Sequence, residues 1–301
     1  MTVLSPDAAW TFDRYEALRV SLPSASFPPA SRRVACLGDI AADFDVFLLD
    51  AFGVLNVGER AIAGAARSVA GLQALGKRVL VLTNGATLPP DSALAKYRGF
   101  GLDLAAQDVV ASRDALARGM EDAGACLWGV AATPESRIDL LPGRCVLLQD
   151  DPDIHERVDA FVLLSSAEWG EDRQGLLTRA LTRRPRPLLA GNPDLVAPRE
   201  GGLTLEPGHW AFEAEALTGI APVFYGKPFR NIYDLAFERL GDVARDRVLA
   251  VGDTLHTDVL GGAAAGVKTA LVTDHGLFRG LDVGPFIARS GIRPDFILPS
   301  I

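Results

Sequence analysis

Four short stretches carry side chains that, if brought together, would bind and cleave a phosphoryl ester. Asp50 is followed by Phe52 and Gly53, then come Thr83-Asn84, Lys227, and Gly252-Asp253-Thr254 with Asp258 behind it. A carboxylate held at a strand end can attack phosphorus and form an acyl phosphate. Two or three carboxylates converging on one point repel each other unless a cation joins them, and oxygen donors of this kind suit Mg2+. A Thr hydroxyl, an Asn amide and turn N–H groups can hold phosphate oxygens, and a lysine supplies the remaining positive charge. Each stretch also has a plainer reading. An Asp before a Gly is often a turn residue, Thr-Asn can be a turn or a cap, a lone lysine is usually solvated, and Gly-Asp-Thr can open a helix. What favours the joint reading is that all four fall near the ends of predicted strands.

Those strands come from the hydrophobic pattern. Phe44 to Asp50 is a short apolar run ending in an acid. Ile62, Ala66, Val69, Leu72 and Leu75 recur in steps of three and four, the face of a helix over 62–76 that Gly76 stops. Arg78 to Asn84 is a second apolar run, so strand, helix and strand form a βαβ unit with parallel strands. Near-continuous apolar strands imply burial on both faces, as in a doubly wound sheet. The rhythm returns late, with a helix over 232–240, strands over 247–252 and 267–272, a short helix over 258–265 and a last strand over 295–298. Between them, strands are predicted over 127–130, 145–148 and 158–164. Helices are predicted over 114–123, with Ser112 as N-cap, and over 174–183. Prolines 185, 187, 193 and 198 punctuate the way out of this block. The expected organisation is an N-terminal extension (1–40) with a short helix over 13–18, an α/β core (41–112 and 207–301), and an inserted α/β domain (113–206). In open parallel sheets ligands bind at the carboxyl ends of the strands, where the four stretches lie.

Composition narrows the function. The chain has 301 residues, 30 basic and 38 acidic, for a formal net charge of −8. This argues against a general nucleic-acid or anionic-membrane binder but leaves room for a small basic pocket that takes an anionic substrate. Hydrophobic residues at 49% and charged residues at 23% are ordinary for a globular protein with a sizeable core. Cys36, Cys126 and Cys145 are too few and too scattered for a disulfide framework or a cysteine zinc site. No basic segment leads into an apolar run near Met1, and no apolar stretch approaches the ~20 residues of a membrane span. A soluble cytoplasmic protein is expected.

The order of these motifs resembles the haloacid dehalogenase superfamily of phosphotransferases. The matching pieces are LLDAFGVL (48–55), VLTNGA (81–86), YGKPF (225–229) and VGDTLHTD (251–258), the last continuing as VLGGAAAGVKTALVTDHG. Their spacing looks like the branch of nitrophenylphosphatase-like and nucleotidase-like enzymes (subfamily IIA). That branch carries a large α/β cap (C2-type) between its second and third motifs, and AGNPDLVAP (190–198) is similar to a segment that recurs in it. The resemblance covers residues 43–301 and implies a Rossmann-like core, a small phosphorylated substrate and Mg2+. It implies Asp50 as nucleophile and metal ligand, the Phe52 carbonyl and Asp253 as further ligands, and Asp258 orienting a metal-bound water or a neighbouring group. It implies Thr83 and backbone N–H groups around Phe52 and Gly53 gripping phosphate, Lys227 pairing with Asp50 and phosphate, and Asn84 on the substrate side.

One position departs from the family pattern. The superfamily's phosphatases usually carry a second Asp two residues after the nucleophile, which protonates the leaving oxygen and then activates water. Here that residue is Phe52, and general acid–base catalysis is typically worth ~10²–10⁴-fold. A phosphatase slow on poor leaving groups is therefore expected. His256 could supply the proton in principle, against the plainer reading of a surface-loop histidine; His209, His275 and His155 are no better supported. Two other readings remain. One is a catalytically deficient protein that binds a phosphorylated metabolite. The other is a metal-independent carbon–halogen hydrolase, since DAFG resembles the dehalogenases' DAYG-like motif; Asp253, Asp258 and the central insertion speak against it. Ser165 to Gly170 and Asn192 to Asp194 are the stretches pointed to for specificity. Trp169 reads either as a stacking residue or as buried core. Cap-to-cap and core-to-core homodimers are both compatible with this organisation.

Overall fold

The computed structural model describes residues 6–124 and 126–301. Its larger sheet has seven parallel strands, in the order Arg32–Arg33, Phe296–Leu298, Lys268–Val272, Val248–Gly252, Val46–Leu49, Arg78–Thr83 and Val109–Ala111. Side chains alternate across it, as a strand's period of two requires. Phe47, Leu49, Val79, Val81, Leu249 and Val251 enter one apolar cluster. Val46, Leu48, Leu80, Leu82, Val248 and Ala250 enter another on the opposite face. Both faces are buried, which explains why these strands read as continuous apolar runs.

The chain builds this sheet outward in one direction from Val46–Leu49 through Arg78–Thr83 to Val109–Ala111, then returns to place Val248–Gly252 on the other side of Val46–Leu49. The strand order reverses there, and a crevice opens at such a switch point beyond the carboxyl ends. Asp50, Thr83 and Asp253 all stand at that crevice.

A second, five-stranded parallel sheet has the order Val223–Phe224, Leu188–Ala190, Ala160–Leu163, Leu127–Ala131 and Arg144–Leu147. It too buries both faces, with Phe161, Leu163, Leu188 and Ala190 on one side and Trp128, Val130, Ala160 and Val162 on the other. The segment that builds this layer runs past residue 206. The helix Pro207–Thr218 packs on Leu188–Ala190, and Val223–Phe224 forms the sheet's edge. Proline punctuation near 193 and 198 instead marks an antiparallel hairpin, Val196–Arg199 with Gly202–Leu205. It touches the core hairpin Asn56–Val57/Arg60–Ala61 through Gly58 N–H donating to the Pro198 carbonyl at 3.1 Å.

Local chemistry accounts for several differences from the sequence reading. Ser112 is the first residue inside the helix Ser112–Asp122, not its N-cap, because its hydroxyl donates to the Asn84 carbonyl at 2.9 Å. The helix expected over 258–265 begins earlier, as one π-turn (Leu255–Val259) that runs into Leu260–Ala264. The N-terminal helix is Ala8–Ala17, longer than expected, and Asp7 caps it by accepting from Trp10 N–H at 2.7 Å. This helix joins the two layers. Ala8 and Phe12 enter a core cluster with Leu255, Leu260 and Phe278, while Tyr15 enters the second layer's cluster.

Phe12 is almost wholly buried, with edge-on contacts to His256 and Phe286. Phe12→Ala should cost about 3–5 kcal/mol, read as a lower urea midpoint at unchanged slope. A loss below about 1 kcal/mol would mean that the arm does not hold the layers together.

Candidate active site

Asp50 follows the central strand, its N–H donating to the Val251 carbonyl at 2.8 Å. Its carboxylate meets Lys227 Nζ at 2.6 Å, and the same ammonium donates to Asp258 Oδ1 at 2.6 Å. Asp50, Asp253 and Asp258 are all buried, and each offers a carboxylate oxygen within 4.8 Å of the others. Asp253 is fixed by Thr254 Oγ1 at 2.9 Å and by Leu277 N–H at 2.7 Å. Asp258 Oδ2 accepts from Thr254 N–H at 3.0 Å. Glycine is required beside these acids. Gly53 has φ +79°, and a Cβ there would lie 2.6 Å from Asp253 Oδ2; at Gly252 it would lie 1.9 Å from Asp258 Cγ.

The three carboxylates have one ammonium among them, paired with Asp50 and Asp258 and not with Asp253, so two negative charges lack partners if all ionise. Burial first, then the charge of Asp258, pushes Asp50 up to about 7 in spite of Lys227. Burial, Asp258 and Asp50 push Asp253 up to about 8. Burial alone would lower Lys227, but Asp258, Asp50 and Asp194 outweigh it and hold the ammonium above its ordinary value. A divalent cation fits this donor set: hard oxygens from carboxylates, with charge that a dication would neutralise. A small cavity of about 20 Å³, room for one water or ion, lies between Asp50, Asp253, Thr254 and Asp194.

Thr83 is buried, its Oγ1 accepting from Gly85 N–H at 3.0 Å. Asn84 does not present a free amide to a ligand. Its Nδ2 donates to Asp194 Oδ1 at 2.8 Å and to the Lys227 carbonyl at 2.9 Å, and its Oδ1 accepts from Lys227 N–H at 2.7 Å. It is the clamp that holds Lys227. Phe52 lies against a larger cavity of about 770 Å³ shared with Asp50, Thr83, Asp194, Trp169 and Trp210. Lys96 Nζ and the Arg199 guanidinium stand 5.3 and 4.7 Å from its ring centroid. Trp169 is core and cavity wall at once: its Nε1 donates to Gln174 Oε1 at 2.9 Å.

His256 is neither a surface residue nor a proton donor to this cavity. It is 1% exposed, its ring stacks on Tyr15 at 4.9 Å, and its Nε2 meets Glu16 Oε1 at 2.6 Å. Burial lowers it to about 4. His209 is likewise buried and lowered to about 4, and His155 is buried with Nδ1 against the Asp151 carbonyl at 3.0 Å. The residue that sequence reasoning underweighted is Asp194. The available signal is the AGNPD stretch, which the sequence marks through the family resemblance and as a specificity segment but not for proton transfer.

Two family models match the chain, a haloacid dehalogenase-like hydrolase model over residues 47–140 and a HAD-hydrolase-like model over 224–301, together more than half of it. The chain belongs to the haloacid dehalogenase-like hydrolases. Among them it is a phosphoric monoester hydrolase of subfamily IIA. An acid sugar phosphatase of Staphylococcus saprophyticus is 29% identical over 231 residues, 75% of this chain and 85% of that protein. A possible sugar phosphatase of Cytophaga hutchinsonii superposes with a TM-score of 0.80 at 25% identity, covering 90% of this chain and 98% of the other. A p-nitrophenyl phosphatase of Archaeoglobus fulgidus gives 0.71 at 26% identity, covering 86% and 97%. Among the described residues no helix of this haloacid dehalogenase-like hydrolase is long and apolar enough to cross a membrane.

A carboxyl whose folded pKa exceeds its unfolded value stabilises the fold when protonated, and that stability is lost as pH rises through the folded pKa. Asp50 and Asp253 are such groups. With EDTA present, the melting midpoint should fall between about pH 6 and pH 8.5, and Mg2+ should raise it most at the upper end. A metal-free midpoint that is flat or rising across that interval contradicts the uncompensated cluster.

Proposed function

We propose that this phosphatase hydrolyses a small phosphorylated metabolite, a sugar phosphate or similar ester, through an aspartyl-phosphate on Asp50, with Mg2+ as cofactor. The observation that carries this is the buried triad of Asp50, Asp253 and Asp258, two of whose members pair with Lys227. Asp50 Oδ1 is tied to Lys227, which leaves the other oxygen for attack on phosphorus. Lys227 also neutralises charge on the transferred phosphoryl group, and Thr83 with the Phe52 N–H binds its oxygens; the Gly53 N–H expected to help is taken by the Asn56 carbonyl at 2.8 Å. Asp50, Asp253, Asp258 and the Phe52 carbonyl would hold the cation, which supplies charge neutralisation at phosphate. The names of the relatives support the sugar-phosphate class, and the cavity of about 770 Å³ has room for such a molecule.

The second sheet serves as the cap, its inserted segment running beyond the expected 113–206 to the edge strand Val223–Phe224, and its residues Trp169 and Ser165 shape the leaving-group side of the cavity. Phe52 cannot donate a proton, so on that residue alone turnover would be weak and confined to activated esters. The carboxylate cluster weighs against a metal-independent dehalogenase, because three crowded acids with one lysine between two of them are poorly compensated without a cation. We place the protein in the cytoplasm.

Purified protein should hydrolyse p-nitrophenyl phosphate only with a divalent cation, and Asp50→Asn should remove turnover to background. Turnover that survives EDTA or Asp50→Asn would contradict the mechanism. Phosphate-analogue binding without turnover in the wild type would point to the metabolite-binding reading.

A further inference from the structure

We propose that Asp194 is the proton-transfer residue of this site, acting on the leaving oxygen as an acid and on the attacking water as a base. The inference rests on the phosphatase reading above and deepens it.

Position 52 is phenylalanine, so the chemistry lacks an acid where the superfamily places one. His256, His209 and His155 are turned into the protein. Of the other carboxylates on the large cavity, Glu59 pairs with Lys96 at 2.9 Å and Glu206 with Arg199 at 3.1 Å. Asp194 is different. It lines both the ion-sized cavity and the large one, in each case together with Asp50 and Phe52. It is not part of the three-acid cluster that could hold the cation.

Its position is rigid. Asn84 Nδ2 donates to Oδ1 at 2.8 Å, Asp194 N–H donates to Asn192 Oδ1 at 2.9 Å, and the Asp194 carbonyl accepts from Gly208 N–H at 3.1 Å. The next residue, Leu195, donates its N–H to the Tyr15 hydroxyl at 3.0 Å, tying this loop to the N-terminal helix. Asp194 Oδ2 accepts no hydrogen bond from any described residue, so one oxygen is anchored while the other is free to exchange a proton. The charged and titratable groups around the carboxyl are Lys227, Asp50, Asp253, Asp258 and Tyr15. Removal from water raises it well above the usual carboxylate range; Lys227 opposes this, and Asp50 and Asp258 add to it.

The step balances without any further reactant. As the Asp50 oxygen bonds to phosphorus and the ester P–O bond breaks, the Asp194 proton passes to the leaving oxygen and the free alcohol departs. Water then bonds to phosphorus as the Asp50–phosphorus bond breaks, and its proton returns to Asp194, releasing orthophosphate.

Asp194→Asn is the informative variant, because its amide oxygen can still accept from Asn84. With Mg2+, wild type, Asp194→Asn and Asp50→Asn are compared on glycerol phosphate and on p-nitrophenyl phosphate, by steady state and by rapid mixing. Asp194→Asn should lose ~10²–10⁴-fold on glycerol phosphate. On the nitrophenyl ester it should keep a fast first turnover, seen as a nitrophenol burst ahead of slow water attack. Equal losses on both esters with no burst, or no loss at all, would overturn the proposal and leave Asp194 a structural residue. Wild type inactive on both esters, and indistinguishable from Asp50→Asn, would overturn the phosphatase reading itself, and the proposal with it. Wild-type pH profiles give a test that needs no folded variant. Turnover of glycerol phosphate should fall at high pH where first-turnover nitrophenol release does not, and parallel profiles contradict the assignment.

Discussion

A buried ammonium that bridges two buried carboxylates, with a third acid crowded against them, is the constraint on which the rest of this molecule depends. Such a cluster is costly to desolvate, and it persists only where strong hydrogen bonds and an added cation can compensate it. The protein meets part of that cost with fixed donors. Lys227 bridges Asp50 and Asp258, Thr254 bonds both Asp253 and Asp258, and Leu277 N–H holds Asp253. Asn84 in turn fixes the backbone of Lys227. The glycines at 53 and 252 follow from the same crowding, because a Cβ at either position would collide with an acid.

The second layer meets this cluster through the loop around Asn192 to Leu195 and through the edge strand Val223–Phe224, which leads into Lys227. Asn84 from the core bonds Asp194, and Tyr15 from the N-terminal helix bonds Leu195. Phe12 and Tyr15 occupy the two layers' separate apolar clusters. The arm preceding the core therefore sets how the second layer meets the cluster. The same arm also takes up His256, the histidine that lies between Asp253 and Asp258 in the chain.

The core was legible because its strands are buried on both faces and so read as unbroken apolar runs that end in candidate site residues. Asp50, Thr83 and Asp253 could be singled out for this reason, whereas Lys227 follows the second sheet's edge strand Val223–Phe224 and Asp258 lies in the turn beyond Asp253. The helix Pro90–Gly99 was missed because only Ala93 and Tyr97 face inward, too few to mark a period. The helix Pro207–Thr218 was missed for the opposite reason: it is buried on nearly all sides, so no polar face defines a stripe. Asn84 was read as a ligand contact because nothing local shows that its partners lie 110 and 143 residues away. His256 was read as a loop residue because the helix that covers it is distant in sequence.

The central claim is that this cluster makes Asp50 a nucleophile once a cation completes it. Its most direct test is to quench the protein in acid during turnover with Mg2+, digest it, and seek the phosphoryl group by mass. The account predicts a phosphorylated peptide containing Asp50 that is absent with EDTA and absent in Asp50→Asn. Robust turnover with no covalent phosphoryl group on any peptide, under conditions that trap it in a related phosphatase, would contradict it.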